Sequence, residues 1–329
     1  MTGKFLHTCL LLMVCVTFAQ AQPSGYVISA RNAEPLADEA GLRAQVEFLT
    51  DSLCTGRAPG TPGSIQAQAS IARQFRAAGL LPVRDGWFRG FRTVSGTPAH
   101  NVLGFLPGSG SRYVIVAAHF DHIGTLSGNL YPGADSNASG VASLLTLARM
   151  FQHIKELGRT YSHTLIFVAL DGKEQSLGGA NHLWKEIADG RLIDPVRGVP
   201  VRPEDVDRMV NIDQVGGTEA PLHSGRPDYL MMLCEPASGR RDALLIANME
   251  PEVKLDIAFD YYGSKDFTRV FYRTISDQKP FLDNGIPAVM FTSGITLRNN
   301  KVTDSAESLD YGILRRRVLA MFYYLVRVI

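Results

Sequence analysis

The sequence predicts an α/β fold, a three-layer sandwich in which a mixed, mostly parallel sheet carries helices on both faces. Apolar strand-like runs alternate with amphipathic helical segments along most of the chain, as in a sheet built from strand–helix–strand units. The runs at residues 113–118 and 165–170 are almost continuously apolar, which is typical of strands buried on both faces. With 329 residues, the chain is long enough for one large domain of this kind.

The elements follow in order along the chain. Residues 38–52 have the apolar spacing of a helix, residues 56–64 form a loop rich in Gly and Pro, and Ser64 is predicted to cap a second amphipathic helix. The predicted strands are 100–108, 113–118, 165–170, 209–212, 229–233 and 288–291. The predicted later helices are 141–154, 177–187, 241–249 and 313–328. Residues 189–207, rich in Pro, Gly and Arg, are expected to form an excursion over one face of the sheet.

The N-terminal residues have the three parts of a secretory signal peptide. Lys4 provides the positive start, residues 6–18 form an apolar stretch too short to span a bilayer comfortably, and a small-x-small cleavage site ends at Ala21. We therefore predict a signal peptide over residues 1–21 and export to the periplasm or the outside of the cell.

A lipid-anchored form is the alternative reading of the same stretch. It would use Cys15, but Val14 is bulky for the position before a lipidated Cys, so simple cleavage is favoured. No later segment reaches a transmembrane length, and we predict a single soluble domain over residues 22–329.

Composition and charge restrict the classes of partner. Hydrophobic residues make up 45% and charged residues 20%, an ordinary globular balance, and a net charge of +1 does not favour nucleic acid or an anionic membrane. Of the four Cys, Cys54 and Cys234 remain after cleavage. An oxidising compartment permits a disulfide between them, and two buried thiols are the equal alternative.

Polar residues stand at strand ends and in neighbouring loops, where open α/β sheets bind ligands. His119 and Asp121 follow one strand, Asp135 lies in the next loop, and Glu174 and Asp213 follow two further strands. A His together with carboxylates is a ligand set that suits zinc, and Asp121 is placed to orient the His119 ring. Each residue alone can equally cap a helix or pack in the core, so only the joint pattern predicts a divalent metal site.

Eight motifs run through almost the whole mature chain in a fixed order. They are LTDSLCTGRAPGTPGS, HNVLGFLPG, VIVAAHFDHIG, GADSNASGVA, FVALDGKEQSLGGA, VNIDQVGG, SDQKPFLDNGIPAVMFTSG and VTDSAESLDY. Together they resemble the secreted zinc-dependent exopeptidase family, which includes bacterial leucyl aminopeptidases, glutamate carboxypeptidase, glutaminyl cyclase and the transferrin receptor ectodomain. The resemblance implies a zinc aminopeptidase-like domain.

The resemblance also implies a site with two zinc ions. In the family, a His and an Asp hold one ion, a Glu and a His hold the other, and a further Asp bridges both. A second Glu, immediately before the ligand Glu, is the general base. By position in the motifs, the first His is His119, the ligand Glu is Glu174 and the strand-end Asp is Asp213.

Three family positions carry a different residue type. Ser136 stands at the bridging position, and a neutral hydroxyl cannot join two dications as a carboxylate does; Asp135, one residue earlier, is the candidate substitute if its side chain turns inward. Lys173 occupies the position of the general base, although an ammonium group cannot accept a proton and repels a cation. Asn300 aligns with the second His.

Two further observations bear on these losses. The chain has no His after His223, and the family's Ser-Asp-His loop reads Ser276-Asp277-Gln278. Lys173 can pair with one of the retained carboxylates and offset the missing metal charge, whereas the alternative is a solvated surface Lys.

Three functional hypotheses follow from this reading. The first is a catalytically impaired family member that binds a peptide or another small-molecule partner in its cleft, with no metal or with one zinc ion. The second is an active metallo-aminopeptidase or related hydrolase that works with a single zinc. The third is a different chemistry or a structural role in an exported complex, with residues 189–207 or 259–262 as the contact surface.

Overall fold

The computed structural model describes residues 28–219, 225–234, 253–261 and 263–329. The predicted signal peptide at residues 1–21 and the predicted helix at residues 241–249 lie outside these ranges. No helix within the described ranges combines the length and the hydropathy needed to cross a bilayer.

Eight of the ten strands formed by the described residues make one mixed sheet. Its order is β1-β2-β6-β3-β7-β10-β8-β9, and β4 and β5 form a separate hairpin. The pairs β6/β3, β3/β7, β7/β10 and β8/β9 are parallel, and the other three pairs of the sheet are antiparallel. The strands are β1 Phe88–Arg92, β2 Pro98–Leu106, β3 Arg112–His119, β4 Gly124–Leu126, β5 Asn129–Tyr131, β6 His163–Leu170, β7 Val206–Ile212, β8 Tyr229–Cys234, β9 Asp256–Ala258 and β10 Ala288–Thr292.

Helices cover both faces of this sheet. Within the described ranges they are α1 Glu39–Thr50, α2 Pro62–Ala77, α3 Ser139–Glu156, α4 Gly178–Ala188, α5 Lys265–Thr274, α6 Lys279–Asp283 and α7 Tyr311–Val328. One hydrophobic core joins the sheet to α1, α2, α3 and α7, and a second core joins the opposite face to α4, α5 and α6. The predicted three-layer α/β sandwich is confirmed.

Strand β3 shows why a central strand reads as an unbroken apolar run. Val114 and Val116 belong to the first core, whereas Ile115 and Ala117 belong to the second. Because successive side chains of a strand point to opposite faces, a strand between two helical layers needs apolar residues at every position.

One local prediction is wrong. The second helix is capped by Thr61, not by Ser64, because Pro62 begins the helix and the Thr61 Oγ1 accepts the Ser64 backbone N–H at 3.2 Å. Pro is favoured at the first helical position, where its missing N–H is not needed, so the residue before it becomes the cap. Ser64 is buried inside the helix, and its Oγ accepts a hydrogen bond from Gln68.

The order of the central strands places the predicted site residues together at the carboxyl ends of these strands. Strands β6, β3 and β7 are adjacent and parallel, so their carboxyl ends lie side by side. His119 ends β3, Asp171 follows β6 and Asp213 follows β7. Elsewhere, Cys54 is buried in the first core with a free thiol, so no disulfide joins it to Cys234.

Candidate functional site

A buried His–Asp contact lies at the centre of the strand ends. The Nε2 of His119 is 3.3 Å from the Oδ1 of Asp213, and the Oδ2 of Asp213 accepts a hydrogen bond from the Ser276 hydroxyl at 2.5 Å. Burial and the charge of Lys173 oppose protonation of His119, but the carboxylates of Asp213 and Asp121 outweigh them and raise its pKa to about 10. Burial favours the neutral form of Asp213, yet Lys173 and His119 hold its pKa well below its usual range.

Asp121 connects this contact to the loop after β6. The Nδ1 of His119 lies 3.1 Å from the Asp121 carbonyl oxygen and 3.6 Å from its Oδ1. The two carboxylate oxygens of Asp121 also accept the backbone N–H groups of Lys173 and Glu174, at 3.0 and 3.1 Å. Burial opposes ionisation, but the contact with His119 and these two backbone bonds keep the pKa of Asp121 lowered. Asp121 therefore lies where it can orient His119, although that role stays a prediction.

The ammonium group of Lys173 lies among carboxylates. Its Nζ donates to the Oε1 of Glu174 at 3.1 Å, and the Lys173 side chain is 18% exposed. Burial favours the neutral amine, but the charges of Asp213, Glu174 and Asp277 outweigh it and raise the pKa of Lys173. Lys173 thus places a positive charge beside the two retained carboxylates, Glu174 and Asp213. Its backbone N–H, bonded to Asp121, holds the residue in this position.

Asp277 is a site residue that sequence reasoning did not identify. It is fully buried, and neither carboxylate oxygen has a hydrogen-bond partner among the described residues. Burial raises its pKa to about 7, and the positive charges of His119 and Lys173 limit the rise. The sequence did single out the Ser276-Asp277-Gln278 loop, but only because Gln278 stands where the family has a His.

The residues beside Asp277 tie its loop to β7. Asn211 donates through its Nδ2 to the Ser276 hydroxyl at 2.9 Å and to the Gln278 Oε1 at 2.7 Å. Gln278 in turn donates to the Tyr272 carbonyl oxygen at 2.6 Å. This chain of bonds fixes Ser276, and so the carboxylate of Asp213 that it contacts.

The loop at residues 133–140 does not bring a carboxylate to His119. Asp135 is turned away, since its Oδ1 accepts the backbone N–H groups of Gly216 and Gly217 at 2.8 and 3.0 Å. Burial, with the nearby Asp304, raises the pKa of Asp135 to about 7. Ser136, at the family's bridging position, is buried, and its hydroxyl has no hydrogen-bond partner among the described residues.

A cleft of about 190 Å³ opens onto these groups. One side is polar, and there the Gln214 Nε2 donates to the Asn299 Oδ1 at 2.5 Å; the other side is apolar. Asn300 lies on the polar side, with a left-handed backbone at φ 57°. The lining residues are Lys173, Glu174, Asp213, Gln214, Phe271, Ile275, Met290, Ile295, Asn299 and Asn300.

The donor groups do not fit the two-zinc arrangement that the resemblance implies. His119 and Asp213 contact each other directly, and Glu174 is paired with the Lys173 ammonium group. Across the described ranges, no three His, Cys, Asp or Glu side chains are grouped so that they could share a metal ion. One zinc ion or none stays the prediction for this chain.

Comparisons with known proteins agree with the fold and the motifs. A probable zinc metalloprotease of Pyrenophora tritici-repentis is 27% identical over 232 residues, covering 61% of this chain and 49% of its own. The human BOS complex subunit NCLN is 30% identical over 212 residues, covering 62% of this chain and 35% of its own. The chain therefore spans half or less of the length of these curated relatives.

A solved structure extends the agreement to the whole fold. The zinc aminopeptidase BSAP from Bacillus subtilis superposes with a TM-score of 0.64 at 12% identity, over 88% of this chain and 95% of its own. The model of peptidase family M28 matches residues 101–325, which include His119, Glu174 and Asp213. The chain is a member of peptidase family M28.

Proposed function

We propose that this chain is an exported member of peptidase family M28 that binds peptides in its cleft and has lost or weakened peptidase activity. One observation carries the proposal: the Lys173 ammonium group occupies the position of the family's general base and pairs with Glu174 at 3.1 Å. The same side chain therefore removes a proton acceptor and occupies a carboxylate that would otherwise be available as a ligand.

The charges around Lys173 support this proposal. A general base must accept a proton near neutral pH, and the raised pKa of Lys173 keeps its nitrogen protonated there. A cation placed near Lys173 would meet repulsion from its ammonium group, and Glu174 already has a positive partner. The other retained pair, His119 and Asp213, is joined by its own hydrogen bond.

The cleft remains suited to a peptide that has a free N-terminus and an apolar first residue. Its apolar side is formed by Phe271, Ile275 and Met290, among others. On the polar side, the Glu174 side chain is 26% exposed, so its carboxylate can be reached from the cleft. A ligand ammonium group can share this carboxylate with Lys173 while the ligand's apolar side chain covers the apolar wall.

Zinc content and turnover test the proposal together. Protein loaded with excess zinc and then desalted should contain at most one equivalent by elemental analysis, and it should not cleave leucyl-4-nitroanilide. Calorimetry should detect leucyl-glycine, and N-acetyl-leucyl-glycine should not bind because it lacks the ammonium group. Zinc near two equivalents would contradict the proposal, and turnover that is lost together with metal in His119→Ala would establish an active metallopeptidase instead.

Export is the remaining part of the proposal, and the pattern at residues 1–21 supports it. N-terminal sequencing of protein recovered from outside the cytoplasm should begin directly after Ala21. A sequence that begins at Met1 would contradict cleavage, and a lipidated Cys15 would establish an anchored form.

A further inference from the structure

Strand β1 stands at one end of the eight-stranded sheet, so among the described residues only one of its two edges has a partner strand. The Trp87 carbonyl oxygen and the Thr93 N–H, which flank β1, each form a 2.9 Å hydrogen bond to the chain that returns as β2. In an antiparallel pair, the backbone groups of successive residues point alternately towards and away from the partner, so the odd-numbered residues of β1 face β2. The N–H and C=O groups of Phe88, Gly90 and Arg92 therefore point to the outer edge.

The same three residues share one exposed face of β1. Phe88, Gly90 and Arg92 alternate along the strand, and Phe88 is 44% exposed. The Nη1 of Arg92 donates to the Gly96 carbonyl oxygen at 2.7 Å, so its charged group is held beside the strand. Gly90 has no side chain that would keep a second strand at a distance. The outer edge thus presents an aromatic ring, an open backbone and a guanidinium group, in that order.

The opposite face of β1 is already engaged within the chain. Arg89 forms an ion pair with Glu186 at 2.5 Å, and both side chains are largely buried. The Phe91 ring stacks on the His182 ring with a centroid distance of 5.0 Å. An Arg on the inner face of an edge strand normally discourages pairing with another chain, but here the Glu186 carboxylate neutralises it. This face therefore does not oppose the approach of a second strand.

The residue order of β1 is complementary to its own reverse. When two copies meet antiparallel with Gly90 opposite Gly90, Phe88 of each copy lies opposite Arg92 of the other. On the other face, Arg89 lies opposite Phe91. Each Arg then meets an aromatic ring, an attractive cation–π arrangement, and no two like charges are directly opposite. Shifting the pairing by two residues loses both kinds of Arg–Phe pair, so the side chains select one register.

We propose that β1 is the docking edge for a second copy of this chain, with the two copies antiparallel about a two-fold axis at Gly90. The outward backbone groups of residues 88, 90 and 92 would bond to those of residues 92, 90 and 88 of the second copy and continue the sheet. An unrelated extended peptide would have to supply the matching Phe and Arg itself. A five-residue contact is smaller than a standard interface, so the dimer should be weak and reversible. No residue that lines the cleft lies on β1, so this edge is separate from the proposed peptide site.

Sedimentation velocity of the purified full-length chain over a concentration series should show a reversible monomer–dimer equilibrium. Phe88→Lys should weaken the dimer about tenfold, because it places a Lys opposite Arg92 at both ends of the pairing. Phe88→Glu should retain the dimer through two ion pairs, and added salt should weaken it. The control is Phe267→Lys on α5, where the Phe is 45% exposed, and it should leave the equilibrium unchanged. A chain that stays monomeric, equal losses in the two variants at residue 88, or an equal loss in Phe267→Lys overturns the proposal.

Disulfide cross-linking tests the register of the pairing. With Gly90 at the axis, residue 88 lies opposite residue 92 of the second copy with Cα atoms about 5.5 Å apart, which is within disulfide range. Phe88→Cys mixed with Arg92→Cys should therefore cross-link on oxidation. Neither variant should cross-link with itself beyond the parent, which retains Cys54 and Cys234, because identical positions lie about 14 Å apart. Self-cross-links equal to the mixed ones, or a dimer that yields no mixed ones, overturn the proposal.

Discussion

Replacing Lys173 with Met removes the positive charge from the centre of the site and keeps the length of the side chain. Glu174 and Asp213 would then face each other and Asp277 with no ammonium group between them. Removing one partner of a buried pair costs about 3–5 kcal/mol, and exposed pairs contribute below about 1 kcal/mol. Lys173 and Glu174 are 18% and 26% exposed, so we expect an intermediate loss of about 2 kcal/mol.

That loss corresponds to a measurable change in melting temperature. The entropy of unfolding is about 2.1 cal/mol/K per residue, or roughly 0.7 kcal/mol/K for a chain of this length. We therefore expect Lys173→Met to lower the Tm by about 3 °C in differential scanning calorimetry, in EDTA so that metal makes no contribution. In a Glu174→Gln background the same change should cost less, because part of the repulsion is already gone.

The control is Lys279→Met, which breaks an ion pair whose side chains are 40% and 43% exposed. It should lower the Tm by less than about 1 °C. If the two variants lose the same small amount, or if Lys173→Met is more stable than the parent, then Lys173 is solvated and our account of the site is wrong.

Three further outcomes follow from the structure. The triple change Lys173→Glu, Ser136→Asp and Asn300→His should raise bound zinc towards two equivalents in elemental analysis, because it supplies the base, bridge and ligand types that this chain lacks. The folded pKa of His119 is about 10 against an unfolded value of 6.5, so its stabilisation is complete below pH 6.5 and is lost as the pH rises to about 10. The urea midpoint of the parent should therefore fall more between pH 7 and 10 than that of His119→Gln. Arg57→Met should destabilise by about 4 kcal/mol in urea unfolding, since it leaves four carbonyl oxygens without their donor.

Each of these outcomes has a result that contradicts it. Unchanged zinc content in the folded triple variant would locate the missing affinity elsewhere in the site. A pH profile that is the same with and without His119 would mean that its imidazole is neutral in the folded protein. For Arg57, the control is the exposed Arg84→Met, which should stay within about 0.5 kcal/mol of the parent, and a similar value for both would refute the role of the buried bonds.

The elements that could be predicted from the sequence are those whose packing against neighbouring layers requires a particular pattern of apolar residues. Strand β3 must be apolar at every position because helices cover both of its sides, and its run was visible for that reason. Strand β1 was missed, because an edge strand with the sequence FRGFR has alternating exposure and includes Gly and Arg. Helix α5 was also missed, since Phe267 and Val270 are exposed on its outer side and obscure the usual apolar stripe.

In the candidate site, too, some contacts could be predicted from the sequence and others could not. Sequence order and strand ends were enough to predict that His119 and Asp213 meet, because the ends of neighbouring parallel strands must lie together. The sequence could not give the direction of Asp135, which depends on the backbone N–H groups of Gly216 and Gly217 eighty residues later. Asp277 was missed for a related reason, since its burial depends on elements distant in the chain.

The two backbone bonds that Asp121 accepts have a consequence for how this family can diverge. The position of the loop at residues 173–174 is set by N–H groups, which every residue type except Pro supplies, and not by the side chains that the loop displays. A Glu and a Lys can therefore replace each other at residue 173 while the main chain keeps its course. A single mutation at residue 173 can therefore exchange a proton acceptor, Glu, for a cation, Lys, without disturbing the loop. Gain and loss of hydrolytic chemistry need not pass through a misfolded ancestor.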